Sequence, residues 1–259
     1  MEPKSPIEDL LLVLLWGAEQ MMVPTWGSLF QTFEWWDYKR QLRHRVRSLE
    51  NRQLLVREKR ANRAVYQLTA RGRLAALGGR DPEAWWRRTW DGQWRLILFD
   101  LPSSQKVVRV RLWRWLRANG FGYLQHSVWI SPDPIREVTD SLRGFREDVE
   151  MFNLMEARCC AEYSDAAIVQ GAWDFTEINR RYEAYLRVAT TELRQLPEGD
   201  GRAQALGRWL RRERFLWLQA LTIDPLLPRG LLPAGYLGLR AWQAHCQAVP
   251  TILKSLANK

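Results

Sequence analysis

The chain has little cysteine, little histidine and no long apolar run. Its three cysteines, Cys159, Cys160 and Cys246, cannot form a disulfide scaffold, because two are adjacent and the third stands alone. A reducing compartment is expected. The three histidines, His44, His126 and His245, are scattered, and no Cys-x-x-Cys or His-x-x-x-His spacing occurs, so no metal site is expected. Neither a Gly-x-Gly-x-x-Gly nor a Walker loop is present, which argues against a nucleotide enzyme and any nucleotide cofactor. The longest apolar run, Leu10 to Trp16, falls far short of the ~20 residues needed to cross a bilayer. Glu2, Glu8 and Asp9 precede it and no small-residue cleavage site follows, so it does not read as a signal peptide. The expectation is a soluble, cytoplasmic protein without membrane contact.

What is present is a globular composition. The 259 residues are 46% hydrophobic, 26% charged and 12% aromatic, enough for two or three compact units. The formal charge is +10, and its placement is informative. Between Lys39 and Arg73 there are 12 Lys or Arg and only two acids, Glu50 and Glu58, so the rest of the chain carries 27 groups of each sign. A surface built only for solubility spreads its charge, whereas one that binds phosphates concentrates it.

The pattern around that segment predicts helices and a hairpin. Ser5-Pro6-Ile7-Glu8 has the form of a capping box, opening a helix that is apolar nearly all round and so should be buried. Thr25 can cap a second short helix carrying Leu29, Phe30 and Phe33, and Asp37 a third, from Tyr38 to about Glu50. In the third helix Leu42, Val46 and Leu49 make one apolar stripe. Arg40, His44, Arg47 and Asn51 project from the opposite side, with Arg43 on its shoulder. A helix pinned by one face and basic on the other suits the major groove of double-stranded DNA. Two β-prone runs then flank a basic turn containing Lys59, Arg60 and Arg63, and Thr69 can cap a short helix ending at Gly78-Gly79. That order predicts a winged helix-turn-helix over residues 1–78, and Trp35 and Trp36 are expected to pack rather than read bases.

A polar, Trp-rich linker over 79–92 leads to a second region, 93–164. There strand, helix, strand, strand, helix, strand is the ferredoxin-like order. Ser103 or Ser104 is expected to cap the first of those helices, and a second should follow Pro134 through Val138, Leu142 and Phe145. Residues 165–259 should be all helical, beginning with one long helix from Trp173 to Arg194. The fold class expected is therefore α+β, with a winged helix-turn-helix, a ferredoxin-like domain and a helical domain in that order.

Several segments resemble the PaaX family of bacterial repressors. They include Tyr66-Gln67-Leu68-Thr69-Ala70-Arg71-Gly72, Trp90-Asp91-Gly92-Gln93-Trp94, Leu98-Phe99-Asp100-Leu101-Pro102, Gly120-Phe121-Gly122 and Val128-Trp129-Ile130-Ser131-Pro132. Trp173-Asp174, Arg212-Glu213-Arg214-Phe215 and Asp224-Pro225-Leu226-Leu227-Pro228 extend the match toward the end. The resemblance implies a repressor that dimerises on a palindromic operator and responds to an aryl- or acyl-CoA effector. Trp173, Arg181, Tyr182, Arg212 and Trp217 are the candidate effector residues, each of which also suits ordinary core or surface. The family's central domain is similar to a small CRISPR-associated endonuclease, and Asp100 stands where those proteins place a metal-binding aspartate. A metal-dependent nuclease is thus the alternative, but one carboxylate is a thin basis for two-metal hydrolysis, and a role in the Leu101-Pro102 turn is preferred, so no catalytic residue is expected. The chain departs from the family pattern in three places. Gln53 stands where the family usually has Gly, Phe33 to Tyr38 is unusually aromatic, and Gly235-Tyr236-Leu237-Gly238 replaces Asp-Trp-Pro-Gly.

Overall fold

The computed structural model describes residues 6–20, 39–60, 63–102, 104–135, 151–160, 162–197 and 201–257. The helix expected after Thr25, the cap at Asp37, the pair Trp35 and Trp36, and the helix expected after Pro134 lie outside these residues. The chain forms two compact units. One comprises Met1–Asp81, Tyr182–Leu218 and Gly238–Lys259, the other Pro82–Arg181 and Gln219–Leu237.

The first unit begins with helix α1, Pro6–Gln20. Its apolar circumference is explained by two cores. Leu11, Leu12, Leu15 and Trp16 pack with Val46 and Leu49 of helix α2 (Lys39–Asn51), Leu55 of strand β1 (Leu55–Arg60), Leu68 of strand β2 (Arg63–Leu68), and Ala75 and Ala76 of helix α3 (Ala70–Ala76). Val13 and Leu14 pack instead with Val188, Trp209, Leu210, Ala248 and Ile252. A helix with solvent on one side would show a polar stripe there, and from Leu10 to Trp16 this one has no polar residue.

Helix α2 ends in a Schellman motif. Leu54 N–H donates to Leu49 O at 2.9 Å and Gln53 N–H to Glu50 O at 2.8 Å. Gln53 takes the left-handed position of that motif with φ of 57°. β1 and β2 pair antiparallel from Leu55↔Leu68 to Arg60↔Arg63. Thr69 caps α3 as expected, its hydroxyl accepting from Gly72 N–H at 3.0 Å while donating to Gln53 O at 2.7 Å. Gly72 lies so close to β1 that a Cβ there would stand 2.0 Å from Leu54 O.

The second unit opens with a short helix α4, Pro82–Arg87, inside the stretch expected to be a plain linker. Strand β3 (Trp94–Asp100), helix α5 (Lys106–Ala118), strands β4 (Gly122–Gln125) and β5 (Val128–Ser131), and strand β6 (Met151–Ala157) follow. Neighbours pair antiparallel in the order β4-β5-β3-β6. Leu112 and Leu116 of α5 pack with Ile97, Phe99, Phe121 and Trp129 of the sheet. Ser104 does not cap α5, and Ser103 lies outside the described residues. Gln105 occupies that position, its own N–H having turned back to Pro102 O at 2.9 Å.

The long helix expected from Trp173 to Arg194 is present from Phe175, with a π-helical turn inside it, and a shorter helix precedes it. Ser164 caps helix α6, Asp165–Ala172, which the sequence reading missed. Asp174 Oδ1 accepts from Glu177 N–H at 2.9 Å, so helix α7 starts only at Phe175 and runs to Leu186. The chain then continues as a π-helical segment, Arg187–Glu192. Helices α8, Arg202–Ile223, and α9, Gly238–Ala257, complete the fold. Among the described residues no helix is long and apolar enough to cross a membrane.

Candidate nucleic-acid interface

The basic segment is anchored from beneath. Val46 and Leu49 of α2 are buried, while His44, Arg47 and Asn51 are exposed on the other side. Arg40 and Arg43 fall on the same helix, and Lys59, Arg60 and Arg63 sit at the tip of the β1–β2 hairpin. The side chains of those five are outside the described residues. The backbone thus places Arg40, His44, Arg47 and Asn51 along one helical stripe, and the three hairpin residues at one turn.

Not all of the basic segment faces outward. Glu8 of α1 is almost wholly buried, and Arg52 Nη1 donates to its Oε2 at 2.9 Å, with Arg45 Nη1 3.8 Å from the other oxygen. A buried carboxylate needs such partners. These two arginines therefore tie α2 to α1 rather than offer charge to a ligand, a distinction that counting charges could not make. Arg57 and Arg71, both exposed, were not singled out from the sequence; Arg71 Nη1 reaches Gln53 Oε1 at 3.3 Å.

The first unit also holds a buried polar cluster. Tyr185, Glu213 and His245 are all inaccessible to solvent. The Tyr185 hydroxyl donates to Glu213 Oε1 at 2.8 Å, and the same oxygen lies 2.8 Å from His245 Nδ1. Burial, and then the neighbouring Glu213 carboxylate, push the Tyr185 phenol well above its ordinary range, which keeps it a donor. The His245 ring is stacked on Trp217 at 4.4 Å and on Trp16 of α1 at 5.1 Å. Next to Glu213, Arg214 grips α1 and α3 together. It makes two hydrogen bonds to Asp9, at 2.8 and 2.6 Å, and donates to Ala76 O at 2.6 Å and Ala75 O at 3.2 Å.

The five candidate effector residues are divided between the units. In the first, Tyr182 and Trp217 are fully buried and pack at 6.4 Å, while the half-exposed Arg212 pairs with Glu192 at 2.8 Å. In the second, Trp173 is buried above Gly122 and donates to Gly120 O at 3.1 Å. Arg181 in the same unit bonds Glu177 Oε1 at 2.8 Å and Gln219 O at 2.9 Å. Tyr182 and Trp217 are brought together; their arrangement is that of a packed core.

Asp100 is exposed at the end of β3. Among the described residues, no three His, Cys, Asp or Glu converge as a metal site would require.

Two family models match this chain, end to end with each other. The PaaX protein central Cas2-like domain matches residues 87–169, and the PaaX-like protein C-terminal domain matches residues 173–259. The chain belongs to the PaaX family. Its second unit accordingly contains the Cas2-like sheet, and the helices α7 to α9 fall in the PaaX-like C-terminal domain. The transcriptional repressor PaaX of Escherichia coli (strain K12) is 29% identical over 169 residues, covering 60% of this chain and 50% of that protein. The chain thus spans half the length of that curated relative. The uncharacterized protein Rv0674 from Mycobacterium tuberculosis has a similar fold, with a TM-score of 0.52 at 22% identity over 96% of this chain and 95% of the other.

PaaX membership clarifies two of the three departures. The left-handed backbone at Gln53 is where a glycine is easiest to place, so that difference falls on the turn that ends α2. Tyr236, where the family has Trp, is buried against Phe175 and Trp86, and its hydroxyl donates to Asp224 Oδ2. Asp224 Oδ1 in turn accepts from Leu226 N–H at 2.8 Å, and Leu226 O accepts from Arg88 at 2.5 Å. Those two bonds hold Leu226 at φ of 50°, a strained position for a branched side chain. The third departure, Phe33 to Tyr38, lies outside the described residues.

Proposed function

We propose that the chain is a DNA-binding transcriptional repressor whose first unit carries a winged helix-turn-helix. The observation that carries this is α2, which is pinned to α1 by Val46, Leu49 and the Glu8–Arg52 pair, and turns His44, Arg47 and Asn51 outward. On this reading Arg40, Arg43, His44, Arg47 and Asn51 enter the major groove, and Lys59, Arg60 and Arg63 hold the phosphate backbone as the wing. The protein works in the cytoplasm as a homodimer on a palindromic operator, as two-fold symmetry requires two half-sites. The reading assigns no catalytic step to Asp100.

An acyl- or aryl-CoA thioester is the proposed effector, acting through the helical region. Arg214 and the Trp16–His245 stack join α8 and α9 to α1, and α1 holds α2 through Glu8. A ligand that prefers one packing of these helices therefore changes the presentation of α2, and linkage requires DNA to weaken the ligand by the same factor. Gel-shift titration of DNA upstream of the protein's own and neighbouring genes, with and without a panel of acyl-CoA thioesters, tests both parts. Specific binding released by a thioester, and not by its free acid, is expected. No binding to any fragment rejects the repressor; binding that no thioester alters rejects the effector alone.

A further inference from the structure

Helix α5 carries five cations, Lys106, Arg109, Arg111, Arg114 and Arg117, and no acid in its 13 residues. Leu112 and Leu116 hold one face of it against the sheet. At about 100° per residue, Arg114 falls opposite that face, with Arg111 and Arg117 roughly 60° to either side. All three are exposed, as is Lys106, while Arg109 is committed to Leu101 O at 2.6 Å.

Helix stability does not favour this arrangement. Cations three residues apart repel, and a cation in the first turn opposes the helix dipole. A face built only for water mixes its signs, and the same unit shows how. Glu177 pairs with Arg180 and Arg181 on α7, Glu83 with Arg87 on α4, and Asp133 with Arg88. Among the described residues Lys106, Arg114 and Arg117 have no carboxylate partner, and Arg117 lies 6.0 Å over the Trp129 ring instead.

Shape selects the ligand. A helix face is convex and cannot enclose a small anion, which needs a concave site. From Lys106 to Arg117 the helix rises about 16 Å. One strand of duplex DNA sets a phosphate about every 3.4 Å along its axis, or roughly five over that length. Val107 and Val110 stand exposed in the same stripe. Both are shorter than the cations around them, so they do not keep a broad polyanion off the charged groups.

We propose that the exposed face of α5 binds the phosphate backbone of double-stranded DNA, a sequence-independent contact made by the second unit. The proposal rests on the DNA-binding reading of the first unit and adds a surface that reading does not use.

Anisotropy titration of the full chain with a random-sequence duplex several turns long, across a KCl series, tests it. Arg114→Gln with Arg117→Gln should lower the salt slope by about two and weaken binding about tenfold. Arg114→Gln alone should lower the slope by about one, which keeps the test open if the pair melts early. Arg114→Lys with Arg117→Lys should restore both quantities, because a phosphate contact needs a cation rather than a fork. Arg158→Gln with Arg229→Gln, exposed in the same unit but outside α5, should change neither. A wild-type slope in the glutamine variants overturns the proposal and leaves the first-unit reading standing, whereas no duplex binding by the wild-type chain overturns both. Equal loss in the Arg158 and Arg229 pair, or in the lysine pair, also overturns it. So does dissociation of a dimer by the glutamine variants in sedimentation, since α5 would then be seated on a second copy of the chain.

Discussion

Gln53 and Gly72 show what single positions in the first unit must satisfy. Gln53 has left-handed φ at the end of α2, which costs a non-glycine residue roughly 1–2 kcal/mol. Gln53→Gly should therefore stabilise the protein by about 1 kcal/mol in urea melts while leaving DNA affinity unchanged. A loss of specific DNA binding would show that the side chain reads a base. Gly72 is the opposite case. A Cβ 2.0 Å from Leu54 O cannot be accommodated without moving β1, so Gly72→Ala should cost at least about 2 kcal/mol by the same melts. Either constraint is one of backbone shape, invisible to a reading of side-chain types. The resemblance flagged Gln53 as a departure, but only its φ shows what the departure means. In the second unit Glu177 titrates unusually. Hydrogen bonds from Arg180 and then Arg181 hold its carboxyl down to about 2 from an ordinary value of 4.5. Because the folded value is the lower one, the stabilisation from this pair is complete above the ordinary value and is lost as pH falls through about 2. Carboxyl-carbon NMR should find that midpoint in the native chain and a higher one in Arg180→Gln with Arg181→Gln.

At the scale of elements, the stretches with strong local signals were legible. The apolar stripe of α2, the Thr69 cap, the β1–β2 hairpin and the strand order of the central sheet follow from periodicity and turn chemistry. Elements that depend on one side chain's choice of partner were not. Asp174 turns its carboxylate onto Glu177 N–H and starts α7 there, while Ser164 starts a separate α6. The π turn has no sequence signature that periodicity detects. The two cores around α1 were half legible: an all-apolar helix must be buried, but its partners come from far along the chain. Arg214 is the clearest instance, since the sequence places it merely among arginines of α8, yet it is buried on Asp9 and the carbonyls ending α3. Removing one partner from a buried pair leaves the other charge uncompensated, so Arg214→Ala should destabilise by about 3 kcal/mol in a denaturant titration. A change within about 0.5 kcal/mol would mean that Asp9 finds water instead.

For the whole molecule, the first unit joins residues from both ends of the chain. The basic segment shares its core with Trp242 and Cys246 of α9. A regulator needs its sensing and binding parts to share a packed element whose state both can bias, and α1 fills that role in the account above. The central claim is that α2 reads bases and the hairpin tip holds phosphates, so binding strength and binding specificity should separate by residue. The most direct test measures affinity for the operator and for a scrambled duplex across a salt series, in wild type, Arg47→Ala and Lys59→Ala. Arg47→Ala should lose about 1–3 kcal/mol on the operator alone, with relaxed preference at one position in each half-site. Lys59→Ala should weaken both duplexes alike and reduce the salt slope by about one. Identical behaviour of the two variants on both duplexes would contradict the account.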